Sequence, residues 1–348
     1  MQRDPQSVAE RTPLSVESKV AFLGQPHLFA DGSRRVDVIE TRLSWVFLSG
    51  HFAYKFKKPV HEPLIDFRTL QGRRINCERE VRLNRRLAAP VYLGVVALTR
   101  DNTGALDLGG AGEVVEWLVH MRRLPHEQML DHALAHGGCE VGPVKRAADV
   151  LAGFYARTRP EQLPPADYVR RLEGETVRRV RTLQSAPWAW ERRRLQRLLV
   201  SQRQFLGQRR TLLESRAANG HVVEGHGDLR PQHVCLAPQP WFIDCLEFSR
   251  VLRVLDPLDD LAYLVLECER DGAAWVGDAF VQAYAHLTGD DFAHPLVPFY
   301  ASRRAVLRAF QSLRHIREDR VPRPLHWTAR AQRYLALAER NMERALAA

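Results

Sequence analysis

Asp228 and Asp244 stand sixteen residues apart, each beside a short apolar run, in a stretch whose spacing is not helical. The stretch reads Glu224-Gly-His-Gly-Asp-Leu-Arg-Pro-Gln-His233, then Val-Cys-Leu, then Phe242-Ile-Asp244-Cys-Leu-Glu247-Phe248. Two carboxylates so arranged suit phosphoryl transfer. One orients an acceptor hydroxyl and takes its proton, and the other holds the Mg²⁺ that neutralises a triphosphate. A regular helix or strand would not aim the first acid into a site, and Gly225, Gly227 and Pro231 supply the irregularity.

Lysine use points the same way. The chain has five lysines, Lys19, Lys55, Lys57, Lys58 and Lys145, and arginine serves almost everywhere else. Three of the five fall within four residues. Lysine is a compact point charge on a slim stem, suited to reaching between two phosphates, whereas arginine is a broad planar fork. On a strand, Lys55 and Lys57 share one face and Lys58 takes the other. Lys55 and Lys57 therefore both remain candidates for the phosphate lysine, with Lys55 preferred.

The elements that must position these residues fall into two parts. Residues 1–30 read as a lead-in, ending in a short helix. Val36–Glu40, Trp45–Leu48 and Phe52–Lys57 are rich in β-branched and aromatic residues, and Ser49-Gly50 marks a hairpin turn. Phe67–Leu87 reads as a helix. Val91–Leu98 and Glu113–Met121 read as strands separated by the turn Asp101-Asn-Thr-Gly104. From Glu127 the chain is mostly helical, with helices over Val144–Arg157, Ala166–Leu183, Trp188–Arg216, Leu258–Glu269, Ala273–His286, Val297–Arg317 and Trp327–Leu346. Short strands are expected at Val234–Leu236 and Trp241–Ile243. The boundary is placed near Met121–Pro125, giving a lead-in over 1–30, a sheet-rich part over 31–121 and a helical part over 122–348. The expected class is α+β and bilobal.

Composition narrows the function. The 348 residues, 45% of them hydrophobic, can bury a sizeable core. No apolar run reaches the ~20 residues of a membrane span, and the first thirty residues lack the pattern of a secretion signal. Five widely spaced cysteines without a C-x-x-C fit free thiols and a cytoplasmic location. The formal charge of +10 is spread along arginine-bearing helical segments, and no nucleic-acid-binding motif is present. His132 and His136 have the spacing of a metal pair but no third ligand in register, and read as a solvated helix face.

The motifs together resemble a known family. His226-Gly-Asp-Leu-Arg-Pro-Gln-His233 is similar to the loop His-Gly-Asp-Leu-His-Pro-Gly-Asn of aminoglycoside phosphotransferases and choline-kinase-like enzymes. Ile243-Asp244 resembles their metal-binding step, and Leu255-Asp-Pro-Leu-Asp-Asp-Leu-Ala262 their Asp-Pro-x-x-Asp-Leu-Ala segment. Ser44-Trp-Val-Phe-Leu48, Tyr54-Lys-Phe-Lys-Lys-Pro59, Glu80-Val-Arg-Leu-Asn-Arg-Arg-Leu87 and Tyr92-Leu-Gly-Val95 resemble one branch, often fused to a C-terminal P-loop ATPase. This chain carries no P-loop motif, so that second half is not expected here. The likeness spans roughly residues 35–320.

The resemblance implies a small antiparallel-sheet lobe, a large helical lobe, and an ATP-dependent phosphotransferase acting on a small-molecule hydroxyl acceptor. It assigns Asp228 as base, Arg230 as the basic residue facing the γ-phosphate, and Asp244 as the principal Mg²⁺ ligand. It assigns Lys55 as the phosphate lysine with Glu80 as its helix partner; Glu78 competes for that role. Ser44 closes the loop over the nucleotide, which lacks the usual glycines, and Met121 and Leu124 flank the adenine. His233 stands where the pattern has Asn for a second metal. Imidazole suits softer ions, so that second site is expected to be weakened, to favour Mn²⁺ or to be absent. His226, Asp256 and Asp260 are expected to brace or cap. The helices between Val144 and Arg216 fall where the class builds its acceptor pocket. Their arginines, Arg170, Arg171, Arg178, Arg179, Arg181 and Arg192–Arg194, favour a neutral or anionic acceptor over a polycationic aminoglycoside. The rival expectation is a nucleotide-binding pseudokinase that regulates a partner. The oligomeric state has no signature in the sequence.

Overall fold

The computed structural model describes residues 14–29, 31–184, 191–317 and 324–348. Two compact units emerge, Met1–Leu124 and Pro125–Ala348.

The first unit begins with helix α1 (Val16–Leu23), capped by Ser15. Six strands then form one antiparallel sheet: β1 (Asp37–Glu40), β2 (Ser44–Leu48), β3 (Phe52–Lys57), β6 (Tyr92–Arg100), β7 (Leu106–Leu108) and β8 (Glu113–Arg122), in the order β1-β2-β3-β8-β6-β7. A small hairpin, β4 (His61–Glu62) and β5 (Ile65–Asp66), follows β3 in the chain. Alternation along β2 and β3 buries Phe47 and Phe56, which stack at 5.9 Å and join Leu23, Leu98 and Leu118 in the core.

Helix α2 (Leu70–Ala88) starts at Thr69, whose hydroxyl accepts from the Gly72 amide. Its Arg73 Nε donates to Glu116 Oε1 of β8 at 2.7 Å, and Lys19 Nζ takes the other oxygen at 2.8 Å. All three side chains are buried. This fixes α2 on the sheet and sets the rotation that turns Glu80 inward.

In the second unit, α3 (Leu130–Ala135), α4 (Val141–Arg157), α5 (Pro165–Gln184), α6 (Arg192–Gln208) and α7 (Arg210–Ala218) precede the irregular stretch, and α8 (Pro257–Arg270), α9 (Ala274–Thr288), α10 (Leu296–Arg317) and α11 (Pro324–Ala347) follow it. Four two-residue strands hold the stretch in place. β9 (Val223–Glu224) pairs with β12 (Val254–Leu255), and β10 (Val234–Cys235) with β11 (Trp241–Phe242). Among the described residues, no helix is long and apolar enough to cross a membrane, and all five cysteines are free thiols.

Several expectations need correction. The helix expected over Trp188–Arg216 is two helices, broken at Arg209, whose ψ of 22° leaves the helical region; its first residues, to Trp190, lie outside the described part, as do residues 1–13 of the lead-in. A continuous apolar-basic periodicity concealed the break, and Gly207, two residues earlier, is its local mark. Helix α2 starts three residues later than Phe67, since the Thr69 cap decides the start. The turn at Asp101–Gly104 leads first into β7, an edge strand too short to leave an alternation signal.

Candidate active site

The irregular stretch is clamped from behind by one buried acid. Asp260, on the first turn of α8, accepts from the amides of His226 (2.7 Å) and Gly227 (2.9 Å) and from the Tyr155 hydroxyl (3.0 Å). Gly227 has φ of 84°, a conformation that favours glycine. A Cβ at Gly225 would lie 2.4 Å from Asp260 Oδ2. Asp256 caps α8 through the Leu258 amide and binds Arg216 with both oxygens, at 2.7 and 2.8 Å.

His226 is fully buried. Its Nε2 lies 2.9 Å from the Ile243 carbonyl, so that nitrogen carries the proton, and Nδ1 accepts from the Asp228 amide at 3.3 Å. Burial depresses its pKa, and the ring is a neutral strut between the two halves of the site.

Asp228 and Asp244 are brought together by His233. Its Nδ1 is 2.7 Å from the Asp228 carbonyl oxygen and 3.7 Å from Asp228 Oδ2; its Nε2 is 3.4 Å from Asp244 Oδ2. A carbonyl can only accept, so Nδ1 holds the proton, and the Nε2 lone pair faces Asp244 and the Arg230 Nη2 donor, also at 3.4 Å. Burial first, then the Arg230 charge, pushes the His233 pKa down to about 4, which leaves the ring neutral near pH 7. Asp244 itself has φ of 57°, tolerable for a short polar side chain, and its carboxylate is 41% exposed.

Arg230 lies across the expected base. Its Nη2 donates to Asp228 Oδ2 at 2.7 Å. Burial alone would raise the Asp228 pKa; the Arg230 guanidinium, with His233, outweighs it and holds the carboxyl below its ordinary value. Asp244 and His233 offer one hard oxygen and one imidazole nitrogen. Among the described residues, no three His, Cys, Asp or Glu side chains are grouped to hold a metal. The pair fits a divalent cation that takes its remaining ligands from phosphates and water, the usual habit of Mg²⁺.

In the first unit, Glu80 is fully buried and receives both candidate lysines. Lys55 Nζ is 2.9 Å from Oε1, and Lys57 pairs with Oε2. Glu78 sits on the surface with Arg74, and Lys58 pairs with Glu40 and lies over the Trp45 ring. The turn at Thr41–Ser44 closes on itself: the Ser44 amide donates to Thr41 Oγ1 and the Thr41 amide to the Ser44 carbonyl, each at 2.9 Å. Ser44 thus has its backbone amide already committed. Met121 lies in β8 opposite Ala53, and Leu124 ends the unit; both are half-buried.

Lys57→Ala is expected to cost stability, because it strips a cation from a buried pair, a loss on the order of 3 kcal/mol. Lys55→Ala should chiefly weaken nucleotide affinity, and Lys58→Ala should change neither. Melting temperature and nucleotide titration of the three variants measure this. Sensitivity at Lys58 alone would put the phosphate lysine elsewhere.

Sequence reasoning did not find Arg304, Arg308 and Tyr263, which pack behind the loop. Two arginines one turn apart among Tyr300, Ala301 and Ala305 were a visible polar intrusion into an apolar stripe. His132 and His136 stack on each other at 4.0 Å on the part-exposed surface of α3.

An antiparallel sheet carrying one helix, followed by a helical unit, is a protein-kinase-like α+β arrangement. The fold of this chain is that of the aminoglycoside-phosphotransferase and choline-kinase-like proteins. It resembles choline kinase from Cryptosporidium parvum (TM-score 0.55, 11% identity, covering 96% of this chain and 97% of that one). It also resembles APH(2")-IIia in its GDP and kanamycin complex (0.54, 16%, 92% and 98%). A choline/ethanolamine kinase family protein from Mesorhizobium loti is similar (0.53, 14%, 95% and 99%). In sequence the chain is similar to uncharacterized proteins of Mycobacterium tuberculosis and Mycobacterium bovis, each 35% identical over 280 residues, which is 79% of this chain and 54% of theirs. It spans about half the length of these curated relatives. No family model matches the chain.

Proposed function

We propose that this protein transfers the γ-phosphoryl group of ATP to a hydroxyl of a small-molecule acceptor. The observation that carries the reading is the His233 ring set against Asp228 on one side and Asp244 on the other, on a loop clamped by Asp260. Two carboxylates with separate surroundings suit separate tasks. Asp228 lies on the rigid loop, and Asp244 is open to a cation.

In this reading Asp228 orients the acceptor hydroxyl and takes its proton. The acceptor oxygen forms a bond to the γ-phosphorus while the bond from that phosphorus to the β-γ bridging oxygen breaks, and ADP leaves with the electron pair. Asp244 and the Nε2 lone pair of His233 would hold the divalent ion, which supplies charge neutralisation on the triphosphate when bound. Lys55, supported by Glu80, is assigned to the α- and β-phosphates. Lys57 shares that glutamate and anchors it. The curated relatives extend beyond the matched region, and the activity of such a longer protein is part of the same proposal.

The test is ADP release by the purified chain with ATP and Mg²⁺ or Mn²⁺. Slow release without acceptor, accelerated by a hydroxyl compound from a metabolite pool, is the expected result. Tight nucleotide binding with no turnover under any of these conditions would overturn it in favour of a regulatory pseudokinase.

A further inference from the structure

The back of the loop carries donors that the chemistry above leaves unused. Helix α10 presents Arg304 and Arg308, one turn apart, to α8. Arg304 Nε donates to Asp259 Oδ1 at 2.7 Å and Nη1 to the Gly227 carbonyl at 3.3 Å, the residue just before Asp228. Its guanidinium lies 4.9 Å from the centre of the Tyr263 ring. Arg308 Nε is held by Glu267 Oε1 at 2.8 Å. Tyr263 is only 1% exposed, yet its hydroxyl has no hydrogen-bond partner, and Nε of Arg230 is a second buried donor without one. The Pro231–His233 turn that follows Arg230 packs against α8, the helix that carries Tyr263. Burial raises the Tyr263 pKa, the Asp228 charge raises it further, and the Arg308 and Arg230 guanidinium groups oppose them.

Folded proteins pair most such groups, and of the unpaired donors among the described residues Arg230 is the one whose guanidinium also holds Asp228. A guanidinium Nε can only donate, so the missing partner is rich in acceptor oxygens. The acids nearby do not offer a counter-site for a cation: Asp259 is matched by Arg304, and Glu267 by Arg308. The helix arginines that the sequence pointed to are partly spent elsewhere. Arg170 pairs with Asp167, Arg171 binds the Val251 and Val254 carbonyls, Arg179 the Arg303 carbonyl, and Arg194 binds Glu339. The anion preference therefore rests on Arg230 and Tyr263.

We infer that the acceptor is a hydroxyl compound bearing a carboxylate or phosphate group, that this anion is bound by Arg230 and the Tyr263 hydroxyl, and that in taking Arg230 it frees the Asp228 carboxylate for the acceptor hydroxyl. The inference rests on the phosphotransferase reading. A charge-assisted, two-point contact to an oxyanion is what a guanidinium does best. The Arg230–Asp228 pair is exchanged for an Arg230–anion pair, and the Asp228 carboxylate, losing its guanidinium, becomes the stronger base toward the acceptor hydroxyl.

The experiment uses three compounds of one skeleton, glycerol, D-glycerate and glycerol 3-phosphate, with choline and kanamycin as cations. Each is titrated calorimetrically into the full chain holding Mg²⁺ and a non-hydrolysable ATP analogue, whose own binding is measured first. Failure of the analogue to bind sinks the phosphotransferase reading itself. With the analogue bound, at least one of the two anions should bind tenfold or more tightly than glycerol, and the two anions separate carboxylate from phosphate. Anions no better than glycerol, or cations better than both, overturn the inference alone. Tyr263→Phe removes a hydroxyl that has no partner in the free protein, so its melting temperature should not fall, while anion affinity should drop about tenfold. A lower melting temperature with unchanged anion affinity, or a loss of nucleotide affinity instead, would also overturn it, the last placing these donors on the γ-phosphate.

Discussion

Replacing Asp244 with alanine is expected to abolish divalent-ion-dependent phosphoryl transfer almost completely. Asp244 supplies the exposed hard oxygen of the candidate cation site, and His233 alone offers a single neutral nitrogen. Metal stabilisation of a transferring phosphoryl group is worth several kcal/mol, so a loss of about a thousandfold in turnover follows. The folded state should be little affected, because the carboxylate is 41% exposed and the αL backbone costs an alanine only on the order of 1 kcal/mol. Calorimetric titration of Mn²⁺ gives a readout independent of turnover, and the variant should show greatly weakened binding. Near-normal turnover would mean that the cation is held elsewhere.

Asp260→Ala is expected to harm both stability and activity. The substitution orphans two amides and the Tyr155 hydroxyl in one buried place, and leaves Arg304 with one carboxylate, Asp259, in place of two. Each unpaired buried group costs roughly 1–3 kcal/mol. Part of that is offset, since burial keeps the Asp260 pKa above its ordinary value, so the ionised carboxylate is itself under strain. A net loss of about 3 kcal/mol, or a fall of roughly 6–12 °C in melting temperature for a unit of this size, is the expected outcome. Activity should fall even at temperatures where the variant is folded, because the loop carrying Asp228 loses its clamp. Asp260→Asn keeps one acceptor oxygen and should lie between. An unchanged melting temperature for Asp260→Ala would show that the loop is held by other contacts.

What the sequence revealed depended on how local the signal was. The two-part α+β organisation, most helices and the strands flanking Ser49-Gly50 were legible because alternation and helical period are carried by near neighbours. The acids of the stretch were legible because glycine, proline and aspartate cluster there against a helical background. The Arg209 break was not, because its one mark, Gly207, is a single weak signal inside a continuous helical period. The choice between Glu80 and Glu78 could not be made from the chain alone: it depends on the rotation of α2, which Arg73, Lys19 and Glu116 set from three separate elements. Tyr263, Arg304 and Arg308 escaped notice because their meaning lies in what they face, roughly thirty to eighty positions away.

The carboxylate of Asp260 occupies the space that any side chain at position 225 would need, and it is pinned there by three donors. Gly227 is closed off as well, with Arg253 and Leu246 about 3 Å from where its Cβ would stand. Such a loop has almost no room to drift. A descendant of this chain that came to act on a different acceptor could not get there by reshaping the ground beneath Asp228. Its changes would have to accumulate in the surrounding helices, where one side chain can be exchanged for another at a cost the fold survives. The rigidity that fixes the chemistry thus leaves the choice of partner to the parts of the molecule that are free to vary.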